Sequence, residues 1–418
     1  MIKRTLLSLL EKHLLEPEMT ILTGPRQVGK TYLMSVMEDH LKEKGEKTLY
    51  INLDYDEHIP LFKSQGSLID YIKLQVGEGK AYVFIDEIQR KENAGIFLKG
   101  ISDRHLQYKF IISGSGSLEL KAKIKESMAG RKRIFIVNPL SFEEFVNFKT
   151  NYQYEDKLKD FFAIEEQRTQ NLLEEYISYG GYPKIVLAKT ADKKKTAMDE
   201  IYTSYVEKDI GELLGVEKTD AFTSLLKILA SQIGSLVNTA ELSATVGIAD
   251  KTINHYLWYL EQTFIIKKVT PYYTNVRKEI SKAPIYYFYD TGLRNFMLGL
   301  FGLPSIPPAL SGHLFENVVF NTLKQYIISA PAAIHFWRTK DHAEVDFVLR
   351  NGLEIIPIEA KYMLLQKPEV SRSYRNFLAR YKPKKGYIIN LGKKQGITIY
   401  DTQVFLIPYS HFIREKII

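Results

Sequence analysis

The sequence predicts an α/β protein built on a mostly parallel sheet. Two observations carry this. The first 140 residues alternate short apolar runs with helix-periodic ones. A glycine-rich loop, Gly24-Pro25-Arg26-Gln27-Val28-Gly29-Lys30-Thr31, separates the first apolar run from the first long helical pattern. Strand-like runs return near the C-terminus, and the 418 residues make two or three domains the expectation at about 150 residues each.

Taken in order, Met19–Thr23 is strand-like, Thr31–Leu41 has helical spacing, Thr48–Leu53 is a strand and Leu68–Leu74 is helical. Tyr82–Ile85, Lys109–Ile112 and Arg133–Val137 complete five strands, with a helix near Ala94–Ile101. Strands separated by helices are covered on both faces and pair in parallel. From Phe142 to Gly215 the pattern is helical, interrupted by Gly180-Gly181-Tyr182-Pro183. A unit of helices, a turn and a short strand follows, and three prolines within Leu303–Pro308 read as a linker. The last unit, expected to begin near Gly312, mixes a long helix with strands at Ile334–Arg338, Glu344–Leu349 and Glu354–Lys361. The expected domains are 1–140, 141–216, 217–302 and 309–418.

Composition narrows the function classes. Apolar residues make up 45% and charged residues 25%, the mixture of a globular chain. The net charge of +8 is concentrated: residues 362–418 hold eleven Lys/Arg against three Asp/Glu, which fits either a polyanion-binding surface or a solvated basic face. With no cysteine, disulfides, thiolate catalysis and cysteine-ligated metal centres are excluded. No apolar run reaches the roughly 18 residues of a membrane span. Glu11 and Lys12 interrupt the apolar N-terminal run early, so an amphipathic helix is expected there rather than a signal peptide, and a cytoplasmic protein without membrane contact.

The loop Gly24–Thr31 fits G-x-x-x-x-G-K-[ST]. Its glycines let backbone N–H groups curl around phosphates and the helix N-terminus adds a positive dipole end. Lys30 is then placed for the β- and γ-phosphates and Thr31 for Mg²⁺, which makes ATP and Mg²⁺ the expected cofactors. Tyr82-Val83-Phe84-Ile85-Asp86-Glu87 is an apolar strand ending in two acids. Asp86 is the candidate Mg²⁺ ligand and Glu87 the candidate group for orienting or deprotonating the attacking water. The next strand ends in Ser113-Gly114-Ser115, where Ser113 is either a polar sensor of the γ-phosphate or part of a plain turn.

This order of motifs, followed by Ala129-Gly130-Arg131 and Asn138-Pro139-Leu140-Ser141-Phe142, resembles a group of prokaryotic AAA-type P-loop ATPases. The resemblance extends through Gly180–Pro183 to Gly312-His313-Leu314-Phe315-Glu316-Asn317. It implies that the sensor strand lies between the P-loop strand and the acid strand, with a helical lid after the core. It also implies a C-terminal domain with a restriction-endonuclease-like core. Arg131 is the candidate for an arginine acting in trans, and the oligomeric state stays open, a homo-oligomer included.

In the middle unit, Thr239–Ile248 reads as a short helix and a glycine-containing turn, after which Asp250 is expected to cap a helix through Leu260. Ile253, Tyr256, Leu257 and Leu260 form an apolar stripe, leaving Lys251, Thr252, Asn254 and His255 outward like a recognition helix. With wing strands at Phe264–Val269 and Ile285–Phe288 and Arg277, Lys278 and Lys282 nearby, a winged helix-turn-helix is expected, facing either double-stranded DNA or a protein. At the C-terminus, strand alternation puts Glu359 and Lys361 on one face. If Asp346 lies on the adjacent strand, the three form the D…E-x-K constellation of metal-assisted phosphodiester hydrolysis. Asp346 and Glu359 then hold Mg²⁺, Lys361 is catalytic, and Glu316 on the preceding helix is a candidate further ligand. The expected function is thus an ATPase acting on or regulated by DNA with a nuclease-like C-terminal domain. The alternative is a nucleotide-driven switch that binds partners and cuts nothing.

Overall fold

The computed structural model describes residues 2–114, 128–205, 219–275, 279, 282–305, 307–327, 332–415 and 417. Ser115, Arg277 and Lys278, named above, lie outside the described residues. Five strands, β1 (Met19–Thr23), β2 (Thr48–Asn52), β3 (Ala81–Asp86), β4 (Tyr108–Ser113) and β5 (Lys132–Ile136), form an all-parallel sheet of order β2-β3-β4-β1-β5. β1, β3 and β4 are buried throughout, as central strands of a doubly covered sheet must be. Alternate residues divide between the faces. Leu22, Phe84 and Ile111 pack with Leu33, Met34 and Met37 of the helix Lys30–Glu43, while Ile21, Val83 and Ile112 pack with Leu68 of Gln65–Val76 and Leu98 of Ala94–Ser102. The α/β parallel-sheet class is borne out.

Helices follow, beginning with Phe142–Lys149. This helix starts at a reciprocal cap in which Ser141 accepts from the Glu144 N–H and Glu144 accepts from the Ser141 N–H. Glu166–Tyr179 ends at Gly180, whose φ of 77° suits glycine and where a side chain would collide with the Asp290 carboxylate. Gly181 N–H donates to that carboxylate at 2.7 Å. Burial pushes Asp290 up to about 6, while the N–H groups of Gly181, Leu293 and Gly292 favour its charged form. The Gly180-Gly181 pair is therefore the seat for a buried carboxylate on the following unit.

That unit contains helices Thr219–Ser231, Thr239–Val246 and Asp250–Gln262, then an antiparallel hairpin of β6 (Ile266–Val269) and β7 (Ile285–Phe288). Ile253, Tyr256, Leu257 and Leu260 are buried, as the stripe demands, and Lys251, Asn254, His255 and Trp258 are exposed. The expected cap is corrected: Ala249 is the N-cap, and Asp250 is already in the first turn, where an acid suits the helix dipole.

The last unit is a six-stranded sheet, β12-β13-β11-β10-β9-β8, from β8 (Ala332–Arg338), β9 (Glu344–Asn351), β10 (Glu354–Ala360), β11 (Lys385–Asn390), β12 (Gln395–Ile399) and β13 (Thr402–Pro408). β8, β9 and β10 meander antiparallel; β10, β11 and β13 run parallel. Helix Pro308–Tyr326 packs on one face and helix Arg372–Tyr381 on the other. The long helix begins earlier than Gly312 because Pro308 sits in its first turn, where a fixed φ and a missing N–H cost nothing.

One apolar cluster joins all these parts, running from Ile2 through Phe142, Leu257 and Phe315 to Ile417. The Leu303–Pro308 segment therefore does not separate independent bodies. Asn317 fastens the long helix to β7, accepting from Phe288 N–H and donating to Phe288 O, each at 2.7 Å.

Candidate functional site

The P-loop leaves β1 at its carboxyl end, where β3 and β4 also finish, the usual crevice for a ligand of a parallel sheet. Gly24 has φ 149°, and a Cβ there would run into the carbonyl of Val137, so only glycine lets the chain turn. Helix Lys30–Glu43 starts immediately after the loop. Lys30 is 7% exposed, and its ammonium donates to Gly24 O at 3.2 Å and Pro25 O at 2.7 Å.

Asp86, Glu87 and Ser113 are brought together because β4 lies between β1 and β3. The fully buried Asp86 accepts from Ser113 Oγ and from the Glu87 N–H at 3.1 Å on one oxygen, and from Tyr50 Oη at 2.9 Å on the other. Burial and the Asp86 charge hold the Tyr50 proton far above the ordinary tyrosine range. Glu87 adopts φ 58°, a left-handed turn that redirects the chain as it leaves β3, and its carboxylate accepts from Gln89. Thr31 is exposed at the helix start. The donors at Thr31 and Asp86 are hard oxygens, the set Mg²⁺ prefers.

Arg131 lies at the other end of the sheet. Its guanidinium pairs with Asp103 at 2.7 Å, and its neighbour Lys132 begins β5 opposite Met19, at the start of β1. It is about one strand length, roughly 15 Å, from its own P-loop.

Three residues that sequence reasoning missed complete the loop's surroundings. Arg4 donates to Val28 O at 2.9 Å and Asn138 O at 2.6 Å and pairs with Glu144 at 3.2 Å. Tyr205 Oη accepts from Arg26 N–H at 2.9 Å, and Tyr182 Oη is 3.2 Å from it. Tyr50 is the third. None of the three is marked by a local pattern; Glu144, the partner of Arg4, is marked by the Ser141-x-x-Glu144 cap.

At the C-terminus, Asp346 and Glu359 lie one step beyond the Phe347–Ile358 pair of β9 and β10, so they are cross-strand neighbours. Glu359 pairs with Lys361 at 2.8 Å and accepts from Ser371 Oγ at 3.3 Å; Asp346 accepts from Ala360 N–H at 2.7 Å. Glu316 accepts from Tyr287 Oη at 3.5 Å and is 3.3 Å from His313. Burial, with the nearby Glu316 and Glu359, pushes the Asp346 pKa well above its ordinary value, against the pull of the Ala360 N–H and Lys361. Burial opposes the charged form of Lys361, but Glu359, Asp346 and Glu316 outweigh it and raise its pKa. Asp346 and Glu359, the expected Mg²⁺ ligands, are thus adjacent, with Glu316 the candidate further ligand; among the described residues no group of three or more His, Cys, Asp or Glu could hold a metal ion.

Residues 16–146 match the family model described as "AAA domain", so the P-loop core is AAA-like. Residues 170–303 and 311–412 match models described as domains of unknown function (DUF8612 and DUF4143). An uncharacterized protein of Haemophilus influenzae is 28% identical over 370 residues, covering 86% of this chain and 85% of that one. One from Mycobacterium tuberculosis is 26% identical over 362 residues, covering 86% and 73%. A solved structure of the replication initiator DnaA bound to AMPPCP and single-stranded DNA overlaps 61% of this chain and 86% of that chain. The TM-score is 0.29 and the identity 14%. No described helix is long and apolar enough to cross a membrane.

Proposed function

We propose that this chain binds and hydrolyses ATP with Mg²⁺ and uses the nucleotide cycle to control an interaction with double-stranded DNA. The observation that carries the ATPase reading is the convergence of Asp86, Glu87 and Ser113 beside the loop that holds Lys30 and Thr31. Lys30 and the loop amides hold the phosphates, Thr31 and Asp86 hold Mg²⁺, and Glu87 orients the water, with Ser113 fixing Asp86. Bound Mg²⁺ supplies charge neutralisation between the phosphates. Lys30 has to leave the Gly24 and Pro25 carbonyls to do its part. Arg131, remote from its own site, serves a neighbouring copy in this reading.

The DNA reading rests on three features. The exposed face Lys251, Asn254, His255 and Trp258 lies on a helix that follows a short helix and turn and precedes a hairpin, the order of a winged helix. The C-terminal unit runs helix, three-strand meander, helix, parallel strand, and it brings Asp346, Glu359 and Lys361 together. Exposed Arg372, Arg375, Arg380, Lys382 and Lys384 add a basic surface.

A second reading has its own support: Lys361 bound to Glu359 and a proton favoured on Asp346 suit a domain that binds partners without cutting. ATP turnover with and without double-stranded DNA, at two salt concentrations, separates the two. Stimulation that fades with salt supports DNA control; turnover indifferent to DNA moves the proposal to the partner switch.

A further inference from the structure

The nucleotide loop contains a turn that its own sequence does not favour. Gln27 has φ 58°, in the left-handed region where a residue with a Cβ is strained. Gln27 is exposed, so burial of its own side chain does not offset that strain. A strained residue persists where its surroundings hold it in place.

Two side chains hold this turn, one on each side of Gln27. The Arg26 N–H donates to Tyr205 Oη at 2.9 Å, and the Val28 carbonyl accepts from Arg4 at 2.9 Å. Arg4 is itself fixed by Asn138 O and Glu144. Tyr205 is 2% exposed, and its hydroxyl oxygen lies 3.2 Å from that of the fully buried Tyr182. Tyr182 follows Gly181, whose carbonyl accepts from the Leu140 N–H and whose own N–H donates to Asp290. Helices that come after the core therefore place the hydroxyl that caps the loop.

We infer that Tyr205 is a positioning residue of the nucleotide site, holding Gln27 in its left-handed turn so that the later loop amides and Lys30 meet the phosphates. The inference rests on the ATP reading of that loop. It makes nucleotide affinity depend on how helix Ala191–Thr203, two residues before Tyr205, docks against the core. Tyr182 contributes through Tyr205. Turnover at saturating ATP stays with Glu87, which Tyr205 leaves alone.

The test measures ATP affinity, KM and kcat for the full chain and its variants, with thermal unfolding as the check on folding. Tyr205→Phe should weaken ATP binding about five-fold, the value of one ordinary hydrogen bond, and raise KM to match, with kcat within about two-fold of the parent. Tyr182→Phe should weaken binding about two-fold and add nothing in the Tyr205→Phe background, because the two hydroxyls act in series. Gln27→Gly decides the mechanism. Glycine takes the left-handed turn without strain, so Tyr205→Phe in that background should weaken binding by less than about two-fold. A tyrosine that merely packs the helices would lower Tm in both backgrounds and show no such rescue. Parental affinity in Tyr205→Phe, additive effects of the two tyrosine substitutions, or a five-fold loss that persists in the Gln27→Gly background would overturn the inference. A parent chain that binds no ATP would contradict the nucleotide reading itself.

Discussion

Asp86 is the residue on which the nucleotide site is organised. It is fully buried, and Tyr50, Ser113 and the Glu87 N–H all donate to it, so its carboxylate is fixed before any phosphate arrives. Among the described residues the Glu87 carboxylate has one hydrogen-bond partner, Gln89, and Glu87 is half-buried, a position from which it can meet a water. Lys30→Ala should therefore abolish or greatly weaken nucleotide binding, read by a fluorescent ATP analogue; unchanged affinity would remove Lys30 from the site. Another residue-scale expectation concerns pH. His13 contacts Thr20 at 2.8 Å; burial lowers its pKa to about 4, Lys109 and Arg133 push the same way, and Glu18 opposes. A histidine held neutral in the fold but protonated when unfolded supports stability above about pH 6.5, and that support is lost as pH falls toward 4. His13→Asn should flatten the urea midpoint between these values; an unchanged pH slope would show that His13 does not contribute.

At the scale of elements, the site depends on strand order. Placing β4 between β1 and β3 is what puts Ser113 against Asp86, and no local pattern encodes that order; it entered through family resemblance. The P-loop, the two acids and the buried stripe of helix Asp250–Gln262 were legible because each is written within about a dozen consecutive residues. Arg4 and Tyr205 were not, since they reach the loop across long sequence separations with no periodicity to mark them. The carboxylate pair was half legible: Glu359 and Lys361 share a face by alternation, but their salt bridge and the histidine on Glu316 emerge only from the fold. If the C-terminal unit tracks phosphates, Lys382→Ala with Lys384→Ala should lower the slope of log affinity against log salt by about one per lost contact. Lys385 is less suited to that role, because its ammonium already donates to Ile417 O at 3.0 Å. A slope unchanged by the double substitution would place the DNA contact elsewhere.

For the whole molecule, the continuous core from Ile2 to Ile417 means that the sequence-defined segments share their interiors. Cutting at the proline-rich segment would strip helix Pro308–Tyr326 from β7 and expose both sides of the Asn317 clasp. Thermal unfolding of the full chain should then be dominated by one transition. Asn317→Leu should destabilise that transition by roughly 1–3 kcal/mol, because it takes the acceptor from the buried Phe288 N–H, while Phe288 O keeps the Asn321 amide as a donor. Two well-separated transitions, with only one moved by the substitution, would show that the units fold independently.

The central claim is that Lys30, Asp86 and Glu87 form a working ATPase centre, and steady-state turnover by Glu87→Gln, measured beside its ATP affinity, tests it most directly. The account predicts retained binding and turnover slowed by about 10²-fold or more, because the phosphate cradle is intact and only the water-orienting carboxylate is gone. Turnover at the parental rate with normal binding would contradict it.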